Sequence, residues 1–126
     1  MNPHARARLV AVVDDDSGVR ASLSSLLRAL GYDTLTYASA AEFLQALPAH
    51  APACLISDMR MPGMDGEQLQ AALQSAGHDF PVILLTAFPT EAMRARVLAR
   101  GALAFLAKPV EADLIAECVD RALARR

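Results

Sequence analysis

The sequence lacks the features that would direct it to a membrane or to nucleic acid. No apolar run among its 126 residues approaches the roughly 18–20 residues that span a bilayer, and its first eight residues include no signal-peptide-like apolar stretch. Basic residues are not in excess, since the formal net charge is −2, whereas a surface that tracks phosphates needs a clear positive excess. We expect a cytoplasmic protein that binds no membrane and, through this chain itself, no nucleic acid.

Cysteine, lysine and glycine-rich loops are also scarce. The only two cysteines, Cys54 and Cys118, lie in apolar patterns, and we expect buried free thiols because disulfides are rare in cytosolic proteins. The first apolar strand is followed by Asp-Asp-Asp-Ser-Gly, which disfavours a nucleotide-binding domain because no glycine-rich phosphate loop follows. With 54% hydrophobic and 21% charged residues, the chain is long enough for one globular domain.

Apolar strand patterns alternate with amphipathic helix patterns five times along the chain. The predicted strands are 9–13, 32–37, 53–57, 81–86 and 103–106, and the predicted helices are 17–30, 39–47, 65–76, 89–100 and 110–125. Strict alternation predicts a doubly wound α/β fold, in which a parallel sheet has helices on both faces. We expect residues 1–8 to form a flexible N-terminal extension and residues 9–126 to form the domain.

Acidic, hydroxyl and lysine side chains follow the ends of the predicted strands: Asp14, Asp15, Asp16, Asp58, Thr86 and Lys108. Ligands of parallel α/β folds gather beyond the carboxyl ends of the strands, so these side chains should meet at one edge of the sheet. Clustered carboxylates repel one another unless a cation lies among them. Lys108, the single lysine of the chain, and a divalent metal would supply that charge, so the sequence predicts a magnesium-dependent site that accepts a phosphoryl group.

Several short motifs occur in order over essentially the whole chain: Val13-Asp14-Asp15, residues 58–66 (DMRMPGMDG), residues 84–87 (LLTA), Gly101-Ala102 and Lys108-Pro109. Together they resemble the CheY-like receiver domains of bacterial two-component response regulators, and the chain is closest in character to FixJ-type receivers. The resemblance implies a flavodoxin-like, five-stranded parallel sheet in the order 2-1-3-4-5, and it identifies residues 9–126 as a receiver domain.

The resemblance assigns Asp58 as the phosphoacceptor, because a carboxylate can attack phosphorus and form a mixed anhydride. Asp15, Asp58 and the backbone carbonyl of Arg60 would bind Mg²⁺, for which Mn²⁺ is expected to substitute, and Asp14 would act through a bound water. The choice of Asp14 and Asp15 over Asp15 and Asp16 follows the family register alone. From the residues themselves, the acidic run could equally be a helix N-cap.

Thr86 and Lys108 would contact the phosphoryl oxygens, since phosphoryl transfer depends mostly on positioning and charge stabilisation. Outside this motif, Thr86 would be an ordinary strand residue, Lys108 a solvated lysine and Asp58 a solvated loop aspartate. Whether the Lys108-Pro109 bond is cis stays open. Phe105 matches an aromatic position that changes rotamer as the threonine moves, so Thr86 and Phe105 are the predicted switch. A plain core role for Phe105 also stays open.

The implied function is a signalling switch. A sensor histidine kinase, a histidine phosphotransfer protein or a small phosphodonor would supply the phosphoryl group. The face formed by helix 89–100, the last strand and the last helix would then control a partner, an output domain or dimerisation. The chain would be no metabolic enzyme and would catalyse only its own phosphorylation and dephosphorylation. A haloacid-dehalogenase-like phosphatase is disfavoured, because Arg60 stands where that class needs an aspartate. A degenerate receiver that only binds proteins is disfavoured because all site positions are present.

Phosphoryl lifetime and assembly give two further hypotheses. Arg60 and Phe88 lie two residues after Asp58 and Thr86, near the expected path of an attacking water, and bulky Phe88 would hinder hydrolysis. Opposite charges on the last two predicted helices could pair across a phosphorylation-promoted homodimer, or could simply be solvated: Arg94, Arg96 and Arg100 against Glu111, Asp113, Glu117 and Asp120. The chain ends after its last helix, so both a stand-alone regulator and the receiver of a longer transcription factor with a DNA-binding output domain stay open.

Overall fold

The computed structural model describes residues 8–124; residues 1–7 of the predicted extension and residues 125–126 lie outside the described residues. The strands are β1 (Leu9–Val13), β2 (Asp33–Tyr37), β3 (Cys54–Asp58), β4 (Val82–Thr86) and β5 (Ala104–Ala107). The helices are α1 (Ser17–Ala29), α2 (Ala40–Ala46), α3 (Gly66–Ser75), α4 (Glu91–Ala99) and α5 (Ala112–Ala124). Every predicted element is present, and boundaries differ from the predicted ones by at most two residues.

The five strands form one parallel sheet in the order β2-β1-β3-β4-β5. Every residue of the three central strands is buried, because helices cover both faces of the sheet. On one face, Phe43 of α2, Leu69 of α3 and Val97 of α4 enter the core. On the other, Leu27 of α1 and Ile115 of α5 do so. The doubly wound α/β fold predicted from the alternation is therefore confirmed.

Polar caps explain where the helices begin. Helix α4 was predicted to begin at Pro89, but Thr90 is its N-cap, because the Thr90 side chain accepts a hydrogen bond from the Met93 N–H. Helix α3 begins after Asp65, which forms a reciprocal capping box with Gln68. These side chains satisfy N–H groups that have no partner inside the helix, so they set the boundaries more sharply than hydrophobic periodicity does.

The two cysteines are buried free thiols, as expected. Burial, with a smaller contribution from nearby Cys118, raises the pKa of Cys54 to about 12. Both side chains therefore behave as core residues. No helix in the described part of the chain has the length and apolar character needed to cross a bilayer.

Candidate functional site

The carboxyl ends of the strands bring the predicted site residues to one edge of the sheet. Asp58 ends β3, Thr86 ends β4, and Asp14 and Lys108 directly follow β1 and β5. The pairing register aligns these ends, since Asp58 lies opposite Leu85 and Thr86 opposite Ala107. The convergence that was predicted from the alternation alone is present.

Lys108 lies between two buried carboxylates. Its Nζ is 2.9 Å from Asp14 Oδ2 and 3.4 Å from Asp58 Oδ2. Side-chain exposure is 20% for Lys108, 1% for Asp14 and 9% for Asp58. A buried ion pair persists only where close contacts offset the loss of hydration. Lys108 is thus a fixed part of the pocket and not a freely solvated lysine, and the Lys108-Pro109 peptide bond that follows it is cis.

Burial and mutual charge shift the ionisation of this pocket. Burial and then the charge of Asp14 raise the pKa of Asp58, while Lys108 and the Arg60 N–H partly oppose that rise. Burial would lower the pKa of Lys108, but its hydrogen bond to Asp14 and the charges of Asp14 and Asp58 outweigh that effect, so its pKa is raised. The lysine stays charged over the physiological range, and one cation faces several carboxylates.

Three carboxylates of this pocket could hold a metal ion. Asp14, Asp15 and Asp58 each offer an oxygen, and these oxygens all lie within 4.8 Å of one another. Hard divalent cations bind such oxygen ligands, and Mg²⁺ takes one or two carboxylates while keeping several waters. Because Lys108 offsets only one of the three negative charges, the residues present fit Mg²⁺.

Asp14 and Asp15 differ in how the protein holds them. Each polar atom of Asp14 has a protein partner: its N–H donates to Tyr37 O (3.1 Å), its carbonyl accepts from Arg20 Nη1 (2.7 Å), Oδ1 accepts from the Asp16 N–H (2.9 Å) and Oδ2 contacts Lys108 Nζ. Within residues 8–124, the exposed Asp15 side chain makes no hydrogen bond or ion pair. Asp15 is therefore the more available carboxylate for direct contact with a cation.

Asp16 serves as a helix cap. Its side chain accepts hydrogen bonds from the N–H groups of Gly18 (2.8 Å) and Val19 (3.2 Å), which makes it the N-cap of α1. Of the two interpretations of the acidic run, the capping one applies to Asp16, whereas Asp14 and Asp15 face the pocket with Asp58.

Two loops beside the pocket are joined by a contact that the sequence did not predict. The Thr86 hydroxyl is buried and accepts a hydrogen bond from the Phe88 N–H at 3.1 Å. The Phe88 ring is 64% exposed, and the Arg60 Cζ lies 5.2 Å from its centroid, within range of a cation–π interaction. The Arg60 N–H also faces Asp58 Oδ1 at 3.4 Å. This pair therefore lies on the solvent side of the loops that follow Asp58 and Thr86.

Phe105 is buried in the core cluster that includes Leu84 and Val97. It also lines a pocket of about 400 Å³ with residues of the β4–α4 loop and α4, among them Pro89, Thr90 and Arg94. Burial fits the plain core role, and the neighbouring pocket gives room for a rotamer change. Both interpretations of Phe105 therefore remain.

Comparison with known proteins places this site in a family. Residues 10–120 match the response regulator receiver domain family. The transcriptional regulatory protein TdiR of Thauera aromatica is 39% identical over 94% of this chain and 52% of TdiR. The transcriptional regulatory protein FixJ of Bradyrhizobium diazoefficiens is 33% identical over 90% of this chain and 56% of FixJ. The chain thus spans about half the length of these relatives.

Solved structures show the same fold. The crystal structure of FixJ-N superposes with a TM-score of 0.85 at 32% identity, covering 94% of both chains. A response regulator receiver protein from Burkholderia phymatum superposes with a TM-score of 0.81 at 40% identity, covering 92% of this chain and 94% of that one.

Proposed function

This chain belongs to the response regulator receiver domain family, and we propose that it accepts a phosphoryl group on Asp58 in a Mg²⁺-dependent reaction. The observation that carries this proposal is the pocket itself. Asp58 lies at the end of a buried strand, 3.4 Å from the single lysine, and shares with Asp14 and Asp15 an oxygen cluster that fits a divalent cation. The donor would be a histidine kinase, a histidine phosphotransfer protein or a small phosphodonor.

In the proposed reaction, a carboxylate oxygen of Asp58 attacks the phosphorus atom of a phosphohistidine. The new O–P bond forms as the N–P bond breaks, and the donor imidazole keeps that electron pair. The attacking group is the Asp58 carboxylate at the buried end of β3, whose Oδ2 lies 3.4 Å from Lys108 Nζ. Lys108 is already held at the pocket by Asp14, so its ammonium can stabilise the added negative charge without reorganisation.

Mg²⁺, when bound, would neutralise charge on the phosphoryl oxygens and on Asp58. Asp15, Asp58 and the backbone carbonyl of Arg60 would hold the ion, Asp14 would act through a water, and Mn²⁺ would substitute. This division agrees with the contacts of the two aspartates, since the polar atoms of Asp14 are all engaged by protein groups, whereas Asp15 is exposed and its carboxylate faces the same pocket.

Thr86 and Phe105 would report phosphorylation to the face formed by α4, β5 and α5. The Thr86 oxygen accepts from the Phe88 N–H and therefore keeps its own proton to donate to a phosphoryl oxygen. A shift of Thr86 would open space that Phe105 could enter, and Phe105 carries no hydroxyl, so the change would depend on packing alone. The pocket between Phe105 and the start of α4 supports this route.

We infer the output of this domain from the lengths of its relatives. The relatives TdiR and FixJ are transcriptional regulators about twice as long as the matched region, which supports a DNA-binding output domain in a longer protein. We also propose that phosphorylation promotes a homodimer and that the domain acts in the cytoplasm. Of the three α4 arginines predicted to pair across such a dimer, Arg96 and Arg100 instead contact Glu67 of the same chain. Arg94 is then the α4 arginine that would face the partner. Light scattering that shows a monomer with and without beryllofluoride would contradict the dimer.

Intact-protein mass spectrometry after incubation with a small phosphodonor tests the proposed chemistry. We expect one added phosphoryl group in the presence of Mg²⁺, none after chelation of the metal, and none in Asp58→Asn. Asp120→Asn, on the exposed side of α5, is the matched control and should be phosphorylated like the unmodified chain. Absence of any adduct, together with absence of beryllofluoride binding, would overturn the proposal.

A further inference from the structure

Three side chains on one face of α3 bind the last turn of α4. Glu67, Gln70 and Gln74 are spaced so that they follow one another along that face. Glu67 receives Arg96 Nε at 2.8 Å and Arg100 Nη1 at 3.2 Å. The two glutamines donate to backbone carbonyls: Gln70 Nε2 to Val97 O at 2.9 Å, and Gln74 Nε2 to Arg100 O. We call these six residues the α3–α4 seam.

The seam adds side-chain donors to carbonyls at the end of α4, where Val97 O also accepts from the Ala102 N–H at 3.0 Å. The last carbonyls of an α-helix have no intrahelical donor, and the glutamine amides supply donors to two carbonyls at the end of α4. Gln70 is 2% exposed, so its bond to Val97 O is shielded from competing water. The side-chain bond from Arg96 lowers the pKa of the partly buried Glu67, so this carboxylate stays charged at neutral pH.

The first half of α4 packs less closely against the core than its C-terminal end does. Within residues 91–95, only Met93 packs against the core, and it does so while partly exposed. The pocket lined by Pro89, Thr90, Arg94 and Phe105 lies along this half. The seam therefore holds the C-terminal end of α4. The N-terminal half, which lies beside Phe105 of the proposed switch, is loosely packed.

The other end of α3 touches the acceptor strand. The Gly66 N–H donates to Met59 O at 3.0 Å, and a Cβ at Gly66 would lie 2.5 Å from the Asp58 carbonyl oxygen and 2.9 Å from Met59 Cα. Glu67, the next residue, belongs to the seam. Gly66, which packs on the backbone of Asp58, is thus directly followed by the residue whose side chain holds Arg96 and Arg100.

We propose that the α3–α4 seam is a second coupling path from the acceptor to α4, in addition to Thr86 and Phe105, and that it holds α4 in the resting arrangement. This inference depends on the proposed function, because it needs a phosphorylated state that differs at α4. Coupling between sites is reciprocal. If activation moves α4 away from its resting position, contacts that favour the resting position must weaken the binding of a phosphoryl mimic at Asp58.

Loss of the Glu67 carboxylate should therefore tighten the binding of beryllofluoride. Exposed ion pairs contribute modestly, so we expect the dissociation constant measured with Mg²⁺ to fall roughly two- to fivefold in Glu67→Gln. Hydrogen–deuterium exchange in residues 91–99 should be faster in Glu67→Gln before beryllofluoride is added. Asp33→Asn, which removes one negative charge from an exposed position of the edge strand β2, should match the unmodified chain in both measurements.

A double-substitution cycle separates the seam from a general charge effect. Arg96→Gln alone should also tighten the binding of beryllofluoride, and it should do less in the Glu67→Gln background, because the bond is already lost. Isothermal titration calorimetry gives all four constants, with Asp58→Asn as the non-binding reference.

The outcomes distinguish this inference from the proposed function. Beryllofluoride binding to the unmodified chain that Asp58→Asn abolishes, with Glu67→Gln equal to Asp33→Asn, would overturn the seam and leave the phosphoacceptor chemistry standing. Weaker binding in Glu67→Gln would also overturn it, since the seam would then favour the activated state. No binding to the unmodified chain would overturn both.

Discussion

The edge of the sheet that carries Asp14, Asp58 and Lys108, here called the acceptor edge after the proposed role of Asp58, is much more closely packed than helix α4. At the acceptor edge, the strands β1, β3 and β4 are buried at every residue, and each polar atom of Asp14 is engaged. Helix α4 contributes a single fully buried residue, Val97, with Met93 and Leu98 partly buried against the core, and its ion pairs and glutamine hydrogen bonds lie at its C-terminal end. The comparison indicates that rigidity is concentrated where chemistry needs fixed geometry, and loose packing where a signal would require movement.

The largest effect should follow from removing the cation of the acceptor edge. Lys108→Met would leave the buried Asp14 and its neighbour Asp58 without their counter-charge. We expect the free energy of unfolding to fall by about 1–3 kcal/mol, less than for a fully buried pair because Lys108 is partly exposed. Phosphorylation from a small donor should slow by about 100-fold, since a charged contact to the phosphoryl group is lost.

Mg²⁺ provides the control for Lys108→Met. A divalent ion can replace part of the missing positive charge, so urea denaturation should show a larger stabilisation by Mg²⁺ in the variant than in the unmodified chain. Equal stabilisation of both proteins by Mg²⁺ would mean that the lysine and the metal do not share one acidic pocket.

The second prediction concerns Gly66, at which α3 packs against the backbone of Asp58 and Met59. In Gly66→Ala, the new Cβ would meet backbone atoms of Asp58 and Met59, which cannot move aside as a flexible side chain can. We expect a loss of about 1–3 kcal/mol in the free energy of unfolding, as in other overpacked sites, and slower phosphorylation. Gly18→Ala is the control, because its nearest neighbour is the flexible Asp16 side chain at 3.2 Å. Equal unfolding free energies for the two variants would contradict the close approach.

Much of this architecture could be predicted from the sequence because it depends on pattern. The alternation of strands and helices determines a parallel sheet, and a parallel sheet gathers Asp58, Thr86 and Lys108 at one edge. The family register separated Asp14 and Asp15 from Asp16, and the capping bonds of Asp16 have the geometry that an acidic residue before a helix predicts.

The contacts that escaped prediction depend on how neighbouring elements are placed. Glu67 with Arg96, and Arg60 with Phe88, join residues that are distant in the chain through long side chains. No periodicity encodes such pairs, because their formation depends on the positions of two helices or two loops. For the same reason, the sequence favours a dimer contact or simple solvation for the arginines of α4, whereas two of them bind Glu67 of the neighbouring helix α3.

The third prediction concerns Phe88, the exposed residue that stacks with Arg60 beside the proposed phosphoacceptor Asp58. If the Arg60–Phe88 pair hinders an attacking water, Phe88→Glu should shorten the lifetime of phosphorylated Asp58 by roughly tenfold, equivalent to about 1.4 kcal/mol in the barrier. The rate is measured by the loss of the phosphoryl mass after removal of the donor. Leu114→Glu adds the same charge at another exposed apolar residue and should leave the rate unchanged. An unchanged rate in Phe88→Glu would rule out this role.

The smallest predicted effect concerns the N-caps of α2 and α4. Loss of the α2 cap should lower global stability, whereas loss of the α4 cap should cause only local opening of that helix. Ser39 and Thr90 are both N-caps with one hydrogen bond to the third helical N–H, and loss of such a cap costs about 1 kcal/mol locally. Helix α2 buries Phe43 in the core, so Ser39→Ala should lower the global free energy of unfolding by about that amount. Helix α4 can open at its first turn while the sheet stays folded, so Thr90→Ala should change the global value by less than about 0.5 kcal/mol. Its effect should appear instead as faster hydrogen exchange in residues 91–95. If both variants lowered global stability equally, α4 would be as firmly integrated as α2, and the contrast between a rigid acceptor edge and a loosely held helix would be wrong.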